Sequence, residues 1–381
     1  MDFELTQDQT MLQDALQRFV AGEYSFKQRG QVLATQNGFS EDIWRGLADQ
    51  GVLGVGLPED HGGLGGPFET MVVMEQLGRG LVLEPFLSTV VVCGGLLAKH
   101  GTSAQKTAVL PRIVSGECRL ALAHGEEGAR YKLDYVKTVA RESKGGYSLT
   151  GTKVVALDAP VASHLIVSAQ VASSKGLTLF LIETSAPGVE IIAYRTQDGR
   201  SAADVKLKGV TVSKENVIGE VGGGLPLLEQ ALDLGIAALC AEAVGVMEAL
   251  NETTLEYLKS RQQFGQPIGR FQVLQHRMAD MFIMAVQARS MCVLASGHAN
   301  SPDAAVRRRA VSAAKAFIGK AARFVGQQAV QLHGGMGMTA ELIVSHYFKR
   351  LTMINATFGD ADHHLAVVSD GYLTNLTSAA S

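Results

Sequence analysis

Two clusters of residues in the C-terminal third could do chemistry. The first is Arg261-Gln262-Gln263-Phe264-Gly265-Gln266-Pro267-Ile268, leading into Phe271-Gln272; the second is Gln331-Leu332-His333-Gly334-Gly335-Met336-Gly337. A guanidinium such as that of Arg261 neutralises charge while donating several hydrogen bonds, which suits it to a pyrophosphate. Glycines at 334 and 335 let a ligand approach the backbone where any Cβ would stand in the way. Gln331, one turn earlier, can hydrogen-bond across the same gap. The plainer reading of both clusters is a helix C-cap followed by an interhelical turn.

Helices must present both clusters. Leu225–Arg261 reads as a long helix ending at the first cluster, and Phe271–Asn300 as the next. Ser301-Pro302-Asp303 offers an N-cap with proline at the first helical position. The helix after it can run to His333, where Gly334-Gly335 makes a stop. At 1.5 Å per residue it would span roughly 45–50 Å, the length of a bundle helix. The N-terminal part also reads as helical. Thr6 and Gln9 have capping-box spacing, and Met11, Leu12, Ala15, Leu16, Phe19 and Val20 form one apolar stripe. Further helices fit Ser40–Gln50, Phe68–Gly78 and Leu87–His100. The run Gly62-Gly63-Leu64-Gly65-Gly66 follows no strand and lacks the G-x-G-x-x-G pattern, so it reads as a loop and not a phosphate cradle. From about Leu120 the period changes. Tyr147–Val155, His164–Ala169, Leu177–Glu183 and Asp204–Val212 are short, rich in β-branched residues and separated by Gly, Ser, Asp and Pro, which suggests a small barrel or sandwich. The expected class is α+β, with an N-terminal helical domain (1–118), a central β-barrel domain (119–224) and a C-terminal four-helix bundle (225–381).

Composition narrows the function classes. Of 381 residues, 46% are hydrophobic and 19% charged, below the roughly 25% charge of ordinary soluble domains. Together with a positive mean hydropathy, this points to extensive burial, including subunit interfaces. The stretch Leu225–Val246 is broken by Glu229, Asp233 and Glu242, so no membrane span is expected. The acidic opening, with Arg18 as its first basic residue, reads as neither a signal nor a transit peptide. A net charge of −3 gives no reason to expect nucleic acid. The basic run Arg307-Arg308-Arg309 reads as a solvated helix face. Cys93, Cys118, Cys240 and Cys292 lack C-x-x-C spacing, which fits structural thiols in a reducing cytoplasm. His363-His364 cannot both face one metal on a helix, and no metal site is expected.

With this layout, the two clusters resemble the acyl-CoA dehydrogenase family, from Asp2-Phe3-Glu4-Leu5-Thr6 to about Leu365. The resemblance implies oxidation of acyl-CoA thioesters between Cα and Cβ, FAD as cofactor at a subunit interface, and an electron-transferring flavoprotein as acceptor. It assigns Arg261, Gln263, Phe264, Gln272, Gln331, Gly334 and Gly335 to the cofactor, with Arg261 reaching FAD bound mainly by a neighbouring subunit.

Elsewhere the chain departs from the family pattern. Where relatives have a Thr-Glu-Pro strand it reads Ala123-His124-Gly125-Glu126-Glu127, and where they have Trp-Ile-Thr it reads Val155-Ala156-Leu157. Two hydroxyls that would bond the flavin ring are thus lost, each worth ~1 kcal/mol, together with a stacking aromatic face. The two positions where relatives keep a catalytic glutamate hold Phe358 and Gly235. A general base contributes roughly 10²–10⁴-fold. Glu242 and Asp360 are the candidate substitutes, the first also readable as a core ion-pair partner and the second as a loop contact. These losses most resemble the small subunit of heteromeric α2β2 acyl-CoA dehydrogenases of the pimeloyl-CoA or steroid side-chain CoA type. The expected partner is a larger subunit of the same family. A self-sufficient homotetramer with an unusual base and a non-catalytic scaffold are the alternatives.

Overall fold

The computed structural model describes residues 4–379, so Asp2 and Phe3 of the resemblance lie outside them. The described residues form two compact units. One comprises the residues up to Arg29, Pro67–Val82 and those from Ile236 onward; the other comprises Gly30–Gly66 and Leu83–Gly235.

The helices before the sheet are α1 (Gln7–Glu23), α2 (Phe26–Ala34), α3 (Glu41–Asp49), α4 (Pro67–Gly80), α5 (Gly95–His100) and α6 (Ser103–Val114). Their starts follow local capping chemistry. Thr6 Oγ1 accepts from the Gln9 amide at 3.3 Å while Gln9 Oε1 accepts from the Thr6 amide at 3.1 Å, and Thr102 with Gln105 repeats the box at α6. Of the expected α1 stripe, Leu16 is fully buried, but Met11 is 55% exposed. The helix expected over Leu87–His100 instead begins with a buried π-helical stretch, Leu87–Gly94. There Thr89 Oγ1 donates to the Leu120 carbonyl at 3.0 Å and accepts from the Leu120 amide at 3.1 Å.

The strands are β1 (Leu120–Ala123), β2 (Val139–Ser143), β3 (Gly146–Leu157), β4 (His164–Val171), β5 (Leu177–Glu183), β6 (Val189–Arg195), β7 (Ser201–Ser213) and β8 (Val217–Ile218). They form one mixed sheet in the order β6-β7-β3-β2-β4-β5-β8, with β1 parallel to β4. The middle segment is thus a sheet domain, in the stretch where sequence spacing suggested a small barrel or sandwich. One face packs on a core that includes Leu149, Leu165, Val167, Phe180, Val205 and Leu207.

After the sheet come α7 (Gly224–Ser260), a hairpin of β9 (Gln262–Gln263) and β10 (Gln266–Pro267), α8 (Gln272–His298), α9 (Ala304–His333), α10 (Ile343–Ala356) and α11 (Ala361–Ala379). Helices α8, α10 and α11 all pack on α9, whose buried positions include Ala310, Ala314, Ala321, Ala322, Gly326 and Ala329. Small side chains there let neighbouring backbones come close. Two expectations are corrected. The N-cap of α9 is Asp303, whose Oδ1 accepts from the Ala305 and Val306 amides, so Pro302 precedes the cap. Arg307 is buried and donates to the Ser301 carbonyl at 2.9 Å, so the basic run is only partly solvated. By length and composition, α7 and α8 are apolar enough to cross a membrane; the apolar stretch of α7 is 89% buried in protein and that of α8 33%. The exposed part of α8 includes Val273, Phe282, Ile283 and Val286.

Candidate functional site

Helix α7 ends where its hydrogen bonds are handed to the hairpin. The Arg261 amide donates to the Tyr257 carbonyl at 2.8 Å, and the Ile268 amide donates to the Arg261 carbonyl at 2.9 Å. The turn between β9 and β10 places Phe264 at φ +54° and Gly265 at φ +75°, the two positive angles a type I′ hairpin requires. Phe264 stands 89% exposed at its tip, edge-on to Phe271 with ring centres 6.0 Å apart.

Helix α9 ends at His333, capped by Gly334 at φ +60°. Burial lowers the His333 imidazole below its ordinary value. Its Nδ1 bonds the Ala329 carbonyl at 2.8 Å, and its ring stacks on Tyr257 at 4.3 Å. That stack fastens the end of α7 to the end of α9 and brings the two sequence clusters together. They line one pocket of about 620 Å³, to which the first contributes Arg261 and Gln263 and the second Gln331, Gly334 and Gly335. Ile268, Val273, Leu274, Leu332 and Met336 supply its apolar walls, and Arg277 of α8 its second cation. Phe264 and Gln272 are not among the lining residues. Sequence reading missed Tyr257 and Arg277; the available signal was helical phase, since Tyr257 lies four residues before Arg261 and Arg277 four after Val273.

The pocket fits an anionic nucleotide. Its lining has two guanidinium groups and no carboxylate. The Arg261 side chain is exposed and makes no hydrogen bond or ion pair with any described residue. A Cβ built on Gly334 or Gly335 meets nothing within 4 Å, so open space there admits a ligand.

The candidate bases lie in other surroundings. Glu242 is 2% exposed, and its two carboxylate oxygens accept from Arg350 Nε and Nη2, each at 2.6 Å. Both oxygens are engaged in an ion pair, so Glu242 is not placed as a base. Asp360 accepts from the His363 amide at 2.8 Å at the start of α11. Phe358, at φ +58°, sits in the loop between α10 and α11. Lys315 Nζ, fully buried, donates to the carbonyls of Asn355, Thr357 and Gly359 at 3.1, 2.8 and 2.7 Å. His364 Nε2 bonds the Phe358 carbonyl at 3.1 Å. Gly235 lies within α7. His363 and His364 meet edge to face at 5.1 Å, and among the described residues no group of His, Cys, Asp or Glu could hold a metal ion.

Comparison with known proteins covers nearly the whole chain. Residues 6–117, 121–210 and 222–373 match the N-terminal, middle and C-terminal domains of acyl-CoA dehydrogenase. The chain belongs to the acyl-CoA dehydrogenase family. It is 33% identical over 329 residues to a mitochondrial isovaleryl-CoA dehydrogenase of Solanum tuberosum, across 82% of this chain and 78% of that one. Among solved structures it superposes on a chain of the ChsE4-ChsE5 complex from Mycobacterium tuberculosis with TM-score 0.89 and 28% identity, covering 98% of this chain and 99% of that one. The FAD complex of PigA matches with TM-score 0.89 and 26% identity, covering 97% and 98%.

In the sheet, the positions at which the resemblance leads one to expect flavin-ring contacts are Ala123, Val155 and Leu157. Ala123 is fully buried in the sheet core. Val155 is 54% exposed at φ +53°, where β3 shifts register against β7. A β-branched residue in this region is strained by roughly 1–3 kcal/mol. Its amide donates to Tyr194 Oη at 3.1 Å and Asp204 Oδ1 at 3.3 Å, which holds the bulge. Leu157 is half-buried. Beside them a sealed polar network has formed. Lys153 Nζ donates to Glu126 Oε1 at 2.6 Å and Ser168 Oγ at 2.9 Å, and His124 Nδ1 bonds Ser168 Oγ at 2.8 Å. Burial drops the Lys153 ammonium to about 8, and burial beside Lys153 holds His124 neutral, at about 4.

Proposed function

We propose that this chain is the small subunit of an α2β2 acyl-CoA dehydrogenase, working with a larger subunit of the same family that carries the catalytic glutamate. FAD is the cofactor. The observation that carries the reading is the pocket at the ends of α7 and α9: Arg261 faces it without a protein partner, and Gly334 and Gly335 leave it open. Arg261 would bind the diphosphate of FAD, with Gln263 and Gln331 fixing its orientation. Bound FAD supplies the hydride acceptor. The α-proton needs a carboxylate, and in this chain Gly235 and Phe358 stand at the resembling positions while Glu242 is taken by Arg350. That pairing weighs against a homotetramer with an unusual base, and the unpartnered Arg261 against a pure scaffold. The exposed apolar residues of α8, of which Val273 also lines the pocket, suit a surface that another subunit covers. Electron-transferring flavoprotein is the expected acceptor and the cytoplasm the expected compartment.

The test is turnover of the purified chain on a panel of acyl-CoA esters with an artificial electron acceptor. Without a partner we expect activity roughly 10²–10⁴-fold below the ordinary enzyme range of about 10 s⁻¹, the share a general base supplies. Adding a glutamate-bearing subunit of the same fold should restore it. Ordinary turnover by the chain alone would sink the divided-labour reading.

A further inference from the structure

Resting on that reading, we propose that Arg277 is a second diphosphate-binding guanidinium, so that the pocket selects a nucleotide diphosphate by paired charge. Arg277 lies four residues after Val273 on α8, so the two share a helix face, and both line the pocket. The only hydrogen bond recorded for its side chain among the described residues is from Nη1 to Gln328 Oε1 at 3.3 Å. Gln328 lies three residues before Gln331 on α9, so the helix that bears Gln331 also aims this cation. Five N–H donors belong to a guanidinium, and one neutral partner leaves most of them available. The side chain is half-buried, in a cavity whose lining offers no carboxylate to balance it. Two fixed positive charges without an acid match a ligand carrying two negative charges. A carboxylate or a singly charged phosphodiester would leave one guanidinium uncompensated. Holding α8 to α9 through Gln328 is the simpler role, but a neutral side chain would serve that purpose without placing a charge in the pocket.

The experiment strips FAD from the assembly that contains this chain and titrates FAD, and separately ADP, calorimetrically at low and high salt. Arg277→Met should weaken both ligands by roughly ten- to a hundredfold, the worth of a charge-assisted hydrogen bond, and should flatten the salt dependence. Arg277→Lys, which keeps the charge and guards against misfolding, should fall between wild type and Arg277→Met. Gln328→Ala, which cuts the tie to α9 but keeps the cation, should cost less than Arg277→Met. If Arg277→Met binds both ligands like wild type, with the same salt dependence, while its thermal midpoint drops, Arg277 is only a tie between helices and the proposal fails. If Arg261→Ala weakens FAD and Arg277→Met does not, the second cation alone is refuted. If the stripped wild-type assembly binds neither ligand, the functional reading falls with it.

Discussion

His364 shows how a single side chain can link acidity to the shape of a loop. It is 3% exposed, with Nδ1 against Ser312 Oγ at 3.1 Å and Nε2 on the Phe358 carbonyl. Burial, and then the nearby Lys315 charge, hold its imidazole down at about 3, against roughly 6.5 in an unfolded chain. Between those values the unfolded state binds a proton that the folded state refuses. Stability from this group is therefore complete above about pH 6.5 and is lost as pH falls toward 3. At pH 4.5 the loss is roughly 2–3 kcal/mol at 1.36 kcal/mol per unit. His124, held at about 4, adds to the same acid-side loss. The expected outcome is that His364→Gln, which keeps a donor for the Phe358 carbonyl, narrows the gap in denaturation midpoint between pH 7 and pH 4.5. An unchanged gap would mean that His364 is already charged in the folded protein.

At the scale of elements, α4 and α7 meet backbone to backbone through two glycines. A Cβ on Gly78 would lie 2.4 Å from the Glu242 carbonyl oxygen, and one on Gly245 2.0 Å from that of Glu75. Neither obstacle can rotate away, because both are main-chain atoms inside helices. The same two residues anchor ion pairs, Glu242 with Arg350 and Glu75 with Arg289, so separating the helices would also strain those pairs. We expect Gly245→Ala to cost ~1–3 kcal/mol or more, the usual price of overpacking, read as a lower denaturant midpoint; an unmoved midpoint would show that α4 slides freely on α7. Sequence alone revealed the parts of this architecture that are local. The capping box at Thr6, the run of α9 to His333 and the strands over 164–183 follow from neighbouring residues. What it hid is long-range. β6 was missed because its residues run half-buried then exposed instead of alternating, as befits an edge strand. The parallel pairing of β1 with β4 leaves no local trace. Nor does the work of Lys315, whose partners are carbonyls some forty residues away in sequence, or the meeting of Arg261 with Gly334.

At the scale of the whole molecule, the proposed reading raises the question whether a carboxylate at Gly235 or Phe358 is all that would be needed for the chain to work alone. If it were, Phe358→Glu or Gly235→Glu should restore α-proton abstraction, since these are the positions at which the resemblance implies a catalytic glutamate. We expect neither substitution to restore dehydrogenation by the isolated chain. A carboxylate works only within hydrogen-bonding reach of the α-carbon, with the hydride acceptor beside the β-carbon. The residues that, by the resemblance, would stand at the acceptor's ring are Ala123, which has no hydroxyl and is sealed in the sheet, the aliphatic Val155, and Leu157. The loop at Phe358 is itself fixed, with Lys315 on the carbonyls either side and His364 on its own, so a glutamate there inherits a backbone set for another purpose. At Gly235, buried within α7, the setting would also favour the protonated acid, which cannot accept the proton. The measurement is acyl-CoA-dependent reduction of an artificial acceptor by each variant without a partner. Recovery of ~100-fold or more, the scale of a working general base, would show that the flavin pocket of this chain is sound. The chain would then be a disabled homo-oligomer and not half of a divided enzyme.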